Sequence, residues 1–195
     1  MKKIILACVA CLFATVSQAA TIDQSSSNNI YQIRAFDPIG QSFTAEDAAV
    51  DIAFNISAIN PSFALESITA TLLNGEGFGG SVVQSVTVNP LANFSGLFEF
   101  FTGASLTVGN AYTVRLETPN AFWGVRLQED TNPYAGGRAF FADIIGPDDG
   151  TSDLTFRVSA SAPSPVPVPA SGVLLLGAIG VPVFLRRRRA ARRAT

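Results

Sequence analysis

The chain has 195 residues, with 13 basic against 15 acidic side chains, two cysteines and no histidine. The missing histidine excludes Ser-His-Asp and Cys-His nucleophile systems, imidazole general bases and histidine metal sites. Both cysteines fall at positions 8 and 11, so the rest of the chain offers no disulfide, thiolate nucleophile or cysteine metal site.

The N-terminal stretch MKKIILACVACLFATVSQAA places Lys2 and Lys3 before an apolar run over 4–16. Ser17-Gln18-Ala19 then sets small residues three and one positions ahead of a cut before Ala20. Such an order predicts a secretory signal peptide over 1–19, since the apolar run is too short to span a bilayer as an ordinary helix.

Residues 20–160 follow as one domain of about 140 residues, a length that buries a core without covalent staples. Two of the basic residues lie in the leader and six near the C-terminus. The body therefore keeps five arginines, at 34, 115, 126, 138 and 157, against all 15 acids, a net charge of −10. A surface of that sign excludes nucleic acid as a partner, because phosphate neutralisation needs basic side chains.

Strand signals run the length of the body. VDIAFNISA alternates Val50, Ile52, Phe54 and Ile56 with polar or small neighbours. AYTVRLET does so at Tyr112, Val114 and Leu116, and DLTFRVS at Leu154, Phe156 and Val158. A period of two predicts strands with one buried and one wet face. GQSFTA, LESITATLL, SVVQSVTV, GLFEFF, FWGVRLQ and RAFFADI add to them, with turn clusters at Asn60-Pro61, NGEGFGG, Asn89-Pro90, VGN and GPDDG between. About nine short strands at this spacing predict a single antiparallel β-sandwich or jelly roll. The order GQSFTA, LESI, AYTVRLE, WGV, NPYAGGRAF and DLTFRV resembles the layout of jelly-roll domains in secreted bacterial proteins, some of which are carbohydrate-binding modules.

A Pro/Ser-rich linker over 161–169 favours extended, polyproline-like geometry. The apolar run 170–185 predicts one short transmembrane helix, covering roughly 24 Å against a hydrocarbon core of about 30 Å. Arg186, Arg187, Arg188 and Arg189, with Arg192 and Arg193, then hold the 186–195 end in the cytoplasm and face the body outward. This Pro motif, short helix and Arg-rich end resemble the PEP-CTERM sorting signals recognised by exosortase-type membrane proteases. The motif here is Val166, Pro167, Val168, Pro169 and Ala170, with Val168 in place of the namesake glutamate, closer to the VPLPA variant. The resemblance implies a transient inner-membrane anchor, an exosortase-type partner and a destination at the cell surface or in an exopolysaccharide-rich matrix.

Three kinds of binding or catalytic residue remain. Glu66, Glu99 and Glu117 fall in strand runs, and paired carboxylates hydrolyse glycosides only when placed across a cleft. Glu99, between Phe98 and Phe100, would hold its proton more tightly if buried. In DIIGPDDGTSD, Asp143, Asp148, Asp149 and Asp153 surround a glycine-containing loop of hard oxygen donors suited to Ca2+. That spacing is not an EF-hand, and a plain Asp/Gly hairpin turn is the favoured reading. Tyr134, in the loop NPYAGG, and Trp123, the sole tryptophan, could stack on a sugar, although aromatics more often fill sandwich interiors. The expectation is an exported, non-enzymatic surface or matrix protein that needs no cofactor. A carbohydrate-binding module, with calcium as stabiliser, and a tail-anchored periplasmic domain are the alternatives.

Overall fold

The computed structural model describes residues 20–142 and 150–161. The expected leader over 1–19, the linker, helix and arginine tail from 162 on, and Asp143, Asp148 and Asp149 lie outside the described residues. The chain divides after Ser161, and all described strands lie before that point.

The strands are β1 (Thr21–Gln24), β2 (Asn29–Gln32), β3 (Ile39–Thr44), β4 (Ala49–Ala58), β5 (Ile68–Asn74) and β6 (Val82–Val88). They continue as β7 (Ser95–Ser105), β8 (Ala111–Glu117), β9 (Trp123–Gln128), β10 (Ala139–Phe141), β11 (Asp153–Leu154) and β12 (Phe156–Ala160). Every pairing is antiparallel. One sheet has seven strands, built on the order β1-β12-β4-β9-β11, with β7 beside β4 and β2 beside β9. The second has five, in the order β10-β3-β8-β5-β6.

Alternation decides which faces meet. Val50, Ile52, Phe54 and Ile56 of β4 join Val125, Leu127, Phe156 and Val158 on the inner face of the first sheet. Ile39, Phe43, Ile68, Leu72, Val114 and Leu116 line the inner face of the second, and all belong to one buried cluster. The architecture is thus an all-β arrangement of two sheets over a shared core, as the alternation predicts. Phe54 anchors its centre, stacked on Phe156 at 5.9 Å and edge-on to Phe100 at 6.2 Å between ring centroids.

Three details depart from the expectations above. First, β1 and β2 arise in TIDQSSSNNIYQ, where the alternation predicts no strand. The inward position Gln24 is polar yet buried, which hides the periodicity of β1. Second, DLTFRVS is not one strand. Asp153 and Leu154 pair with β9, whereas Phe156 onward pairs with β4. Thr155 bridges the switch, its N–H donating to Arg126 O at 2.8 Å and its carbonyl accepting from Asn55 N at 2.9 Å. Third, Glu66 precedes β5 instead of lying within it, because pairing with β6 begins at Ile68.

The NGEGFGG segment is also more than a turn. Gly75 and Gly77 adopt φ of 80° and 85°, a region side chains with a Cβ rarely enter. Thr113 Oγ1 donates to Gly75 O and accepts from Gly77 N, each at 2.9 Å, so the segment folds back over the outer face of β8. Phe78 then covers β3 at Gly40, where a Cβ would lie 2.7 Å from its ring.

Candidate functional site

Tyr134 and Asp153, far apart in the strand pattern, meet in a polar cluster whose centre, Gln41 and Asp153, is fully buried. Gln41 sits at an inward position of β3 between Ile39 and Phe43, and an amide there needs partners. Its Nε2 donates to Asp153 Oδ1 at 2.7 Å and its Oε1 accepts from Leu154 N at 2.8 Å. Asp153 Oδ2 accepts from Tyr134 N at 3.0 Å. With its amide nitrogen turned inward, Asn132 donates to the same oxygen at 2.8 Å. The Asp153 side chain thereby ties the 130–138 loop to β3 and β9.

Further bonds seat the loop. Thr44 N donates to Tyr134 Oη at 3.2 Å, and Thr44 Oγ1 donates to Gly136 O at 3.2 Å. Arg138 N donates to Ser42 Oγ at 2.9 Å. Gly137 presses so close that a Cβ would stand 2.0 Å from Ser42 O, so only glycine fits. The Tyr134 ring meets Phe156 edge-on at 5.4 Å. Thus the loop forms a ridge with a cleft on either side.

The first cleft, about 360 Å³, is lined by Thr21, Asp23, Gln24, Ser26, Glu46 and Tyr134, among others. The second, about 320 Å³, is lined by Ser42, Thr44, Glu76, Asn132, Gly136 and Arg138, among others. Across the second, Arg138 pairs with Glu76 at 2.8 Å and lies 4.7 Å over the Phe140 ring. Burial pushes the Tyr134 hydroxyl above its usual range. The Thr44 N–H opposes this, and the Glu46 and Asp153 carboxylates add to it. Burial likewise raises the Asp153 carboxyl, against the pull of the Tyr134 N–H and the Gln41 amide.

The candidate residues read from the sequence thus part company. Tyr134 lines the first cleft from the ridge. Trp123 is corrected as a glycan contact: it is fully buried on β9, packs edge-on against Phe122 at 4.9 Å and donates its indole N–H to Glu66 O at 2.7 Å. Asp153 is corrected as a calcium ligand. It is fully buried, and both its oxygens already accept N–H donors. Among the described residues no three Asp, Glu, His or Cys side chains gather as a metal site.

The glutamates do not form an opposed pair either. Glu99 stands exposed on β7 of the first sheet and accepts from Thr102 Oγ1 at 2.7 Å, so its neighbouring phenylalanines do not bury it. Glu117 lies on β8 of the other sheet, paired with Arg115 at 3.1 Å. A third cleft of about 230 Å³ brings Asp51 and Glu99 together with Arg157. There Asp51 already accepts from Gly103 N at 2.8 Å and from the Ser161 hydroxyl.

Sequence reasoning missed Gln41, Asp23, Glu46, Glu76 and Arg138. Gln41 had a signal, a polar residue at the inward parity of an apolar strand. The others had none, since their meeting depends on loops folding onto sheets. Comparison with family models, curated proteins and solved structures finds no match to this chain.

Proposed function

We propose that the chain is an exported, non-enzymatic surface or matrix protein whose body is a jelly-roll sandwich sorted through its C-terminal end. A signal peptide over 1–19 directs export, and the 170–185 run anchors the chain in the inner membrane until an exosortase-type protease acts at 166–170. The observation that carries this reading is the order of motif, apolar run and Arg186 to Arg189 at the end of an acidic body. The last described strand ends at Ala160, and the Pro-rich stretch of the sequence follows it.

The test is the mass of the mature protein recovered from its host, together with its cell fraction. A chain that begins near Ala20, ends near Ala170 and lies outside the inner membrane is the expected result. A chain intact to Thr195 in the inner membrane would overturn sorting and leave a tail-anchored periplasmic domain.

The Tyr134 cleft favours a second reading, a carbohydrate-binding module. Its volume is of the size that small ligands fill. Hydroxyl, amide and carboxylate groups line it beside one aromatic side chain, a combination suited to a neutral sugar. A glycan array decides: saturable binding that Tyr134→Ala abolishes supports this reading, and an array without saturable signal removes it.

A further inference from the structure

The sheet edges are guarded unequally. An edge strand exposes a row of backbone N–H and C=O groups that will pair with any strand that reaches it, and proteins block this with charge, short length, proline or bulges. In the first sheet β1 is four residues long and carries Asp23, paired with Arg157 at 2.8 Å. The edge strands β2 and β11 have four and two residues. The longer β7 carries Glu99, breaks its register twice against β4, and contains Gly96 and Gly103 at φ of 139° and 65°. In the second sheet β10 has three residues and follows Arg138.

The remaining edge, β6, differs from all of these. It runs seven residues as VVQSVTV with no charge and no proline, and no described strand pairs with its outer side. A single register shift, between Leu72 and Leu73 of the paired β5, leaves Val83 as the extra residue near one end. Val82 and Val83 are 62% and 37% exposed, and Leu91, just beyond the strand, is 73% exposed. From 77 to 98 the sequence has no Asp, Glu, Lys or Arg, the longest such stretch of the body. Two copies of a body with net charge −10 repel wherever their acids approach. Along this strip they do not.

We propose that β6 is a self-association edge, on which a second copy of this chain adds its own β6 antiparallel. A two-fold axis at Ser85 sets Ser85 against its counterpart, Gln84 against Val86 and Val83 against Thr87. Cross-strand partners then keep the same face of the sheet, as continuous pairing requires. Gln84, Val86 and Val88 fall on the core side, opposite Leu72, Ala70 and Ile68 in the β5 register. Ser85 and Thr87 fall on the outer side, where their hydroxyls already meet those of Thr71 and Thr69 at 3.2 and 3.0 Å. The two five-stranded sheets become one of ten, and the interface is isologous.

Disulfide trapping of the full chain tests this, with Cys8→Ala and Cys11→Ala removing the native thiols. Ser85→Cys, oxidised by copper phenanthroline in membranes or mild detergent, should double the apparent mass of the 20.5 kDa chain on a non-reducing gel. Val108→Cys, 56% exposed in the turn before β8, is the matched control and should stay monomeric. Separately, Val83→Lys on the native background should convert the dimer to monomer in sedimentation while leaving the circular dichroism spectrum unchanged. A monomeric native chain, equal cross-linking at 85 and 108, or a dimer indifferent to Val83→Lys would each overturn the proposal. The last of these would place self-association on a surface other than β6.

Discussion

Trp123→Ala should destabilise the body by about 3–5 kcal/mol, the range for deleting a fully buried large aromatic. Two losses combine. The indole leaves a cavity beside Phe122, and the Glu66 carbonyl loses the N–H that reaches it at 2.7 Å. An acceptor left without its donor in a partly buried setting adds to the cost of the cavity. Trp123→Phe fills most of the space and forfeits only the N–H, so it should cost distinctly less. Because Trp123 is the sole tryptophan, urea denaturation followed by far-ultraviolet circular dichroism is the suitable probe. A loss below about 1 kcal/mol for the alanine variant would show that the indole does not belong to the core.

Asp153→Ala should cost about 2–3 kcal/mol, since it strands the buried Gln41 amide and the partly buried Tyr134 N–H instead of removing a matched pair. Tyr134 N, Asn132 and one contact of Gln41 lose their acceptor together, while Gln41 keeps its bond to Ser42 O at 3.0 Å. The loss is local as well as global. The 130–138 ridge loses its deepest tether, and cleavage by trypsin after Arg138 should accelerate well beyond cleavage at the arginines held within strands.

The same residue predicts a pH dependence. Its carboxyl is raised in the folded state, chiefly by burial, so the folded chain holds this proton more tightly than the unfolded one. Its stabilising share is then complete below the unfolded value of about 3.9 and is lost as pH rises through the folded value. Measured against Asp153→Asn, which does not titrate, the native protein's stability advantage should be widest near a pH of about 3 and shrink toward neutrality. An advantage that grows with pH would mean that the N–H donors of Gln41, Tyr134 and Asn132 outweigh burial.

Of the candidate site, only Tyr134 was legible in advance, and only as an aromatic on a glycine-rich loop. Its setting was not. The loop becomes a ridge because Gln41 and Asp153, 112 residues apart, share one hydrogen bond in the interior. The Asp-rich segment misled for a related reason. Asp153 looked like one oxygen donor among several in a turn, whereas the chain enters β11 at that residue and carries its side chain inward. Trp123 carried no signal that could separate a core ring from a binding ring, since both occur in strands of this composition.

Where most strands run, and which of their faces turn inward, follows from the order of residues alone, because alternation with period two is a local property of neighbours. The missing chemistries follow in the same way, since a chain without histidine cannot fold its way to one. Which edge stays bare, which carboxylate becomes a tether and which two clefts flank Tyr134 emerge only once the sheets have assembled. Those outcomes depend on the order in which the twelve described strands pair and on two loops folding back over a sheet. Contacts between residues so distant in the chain leave no periodic trace within any one segment.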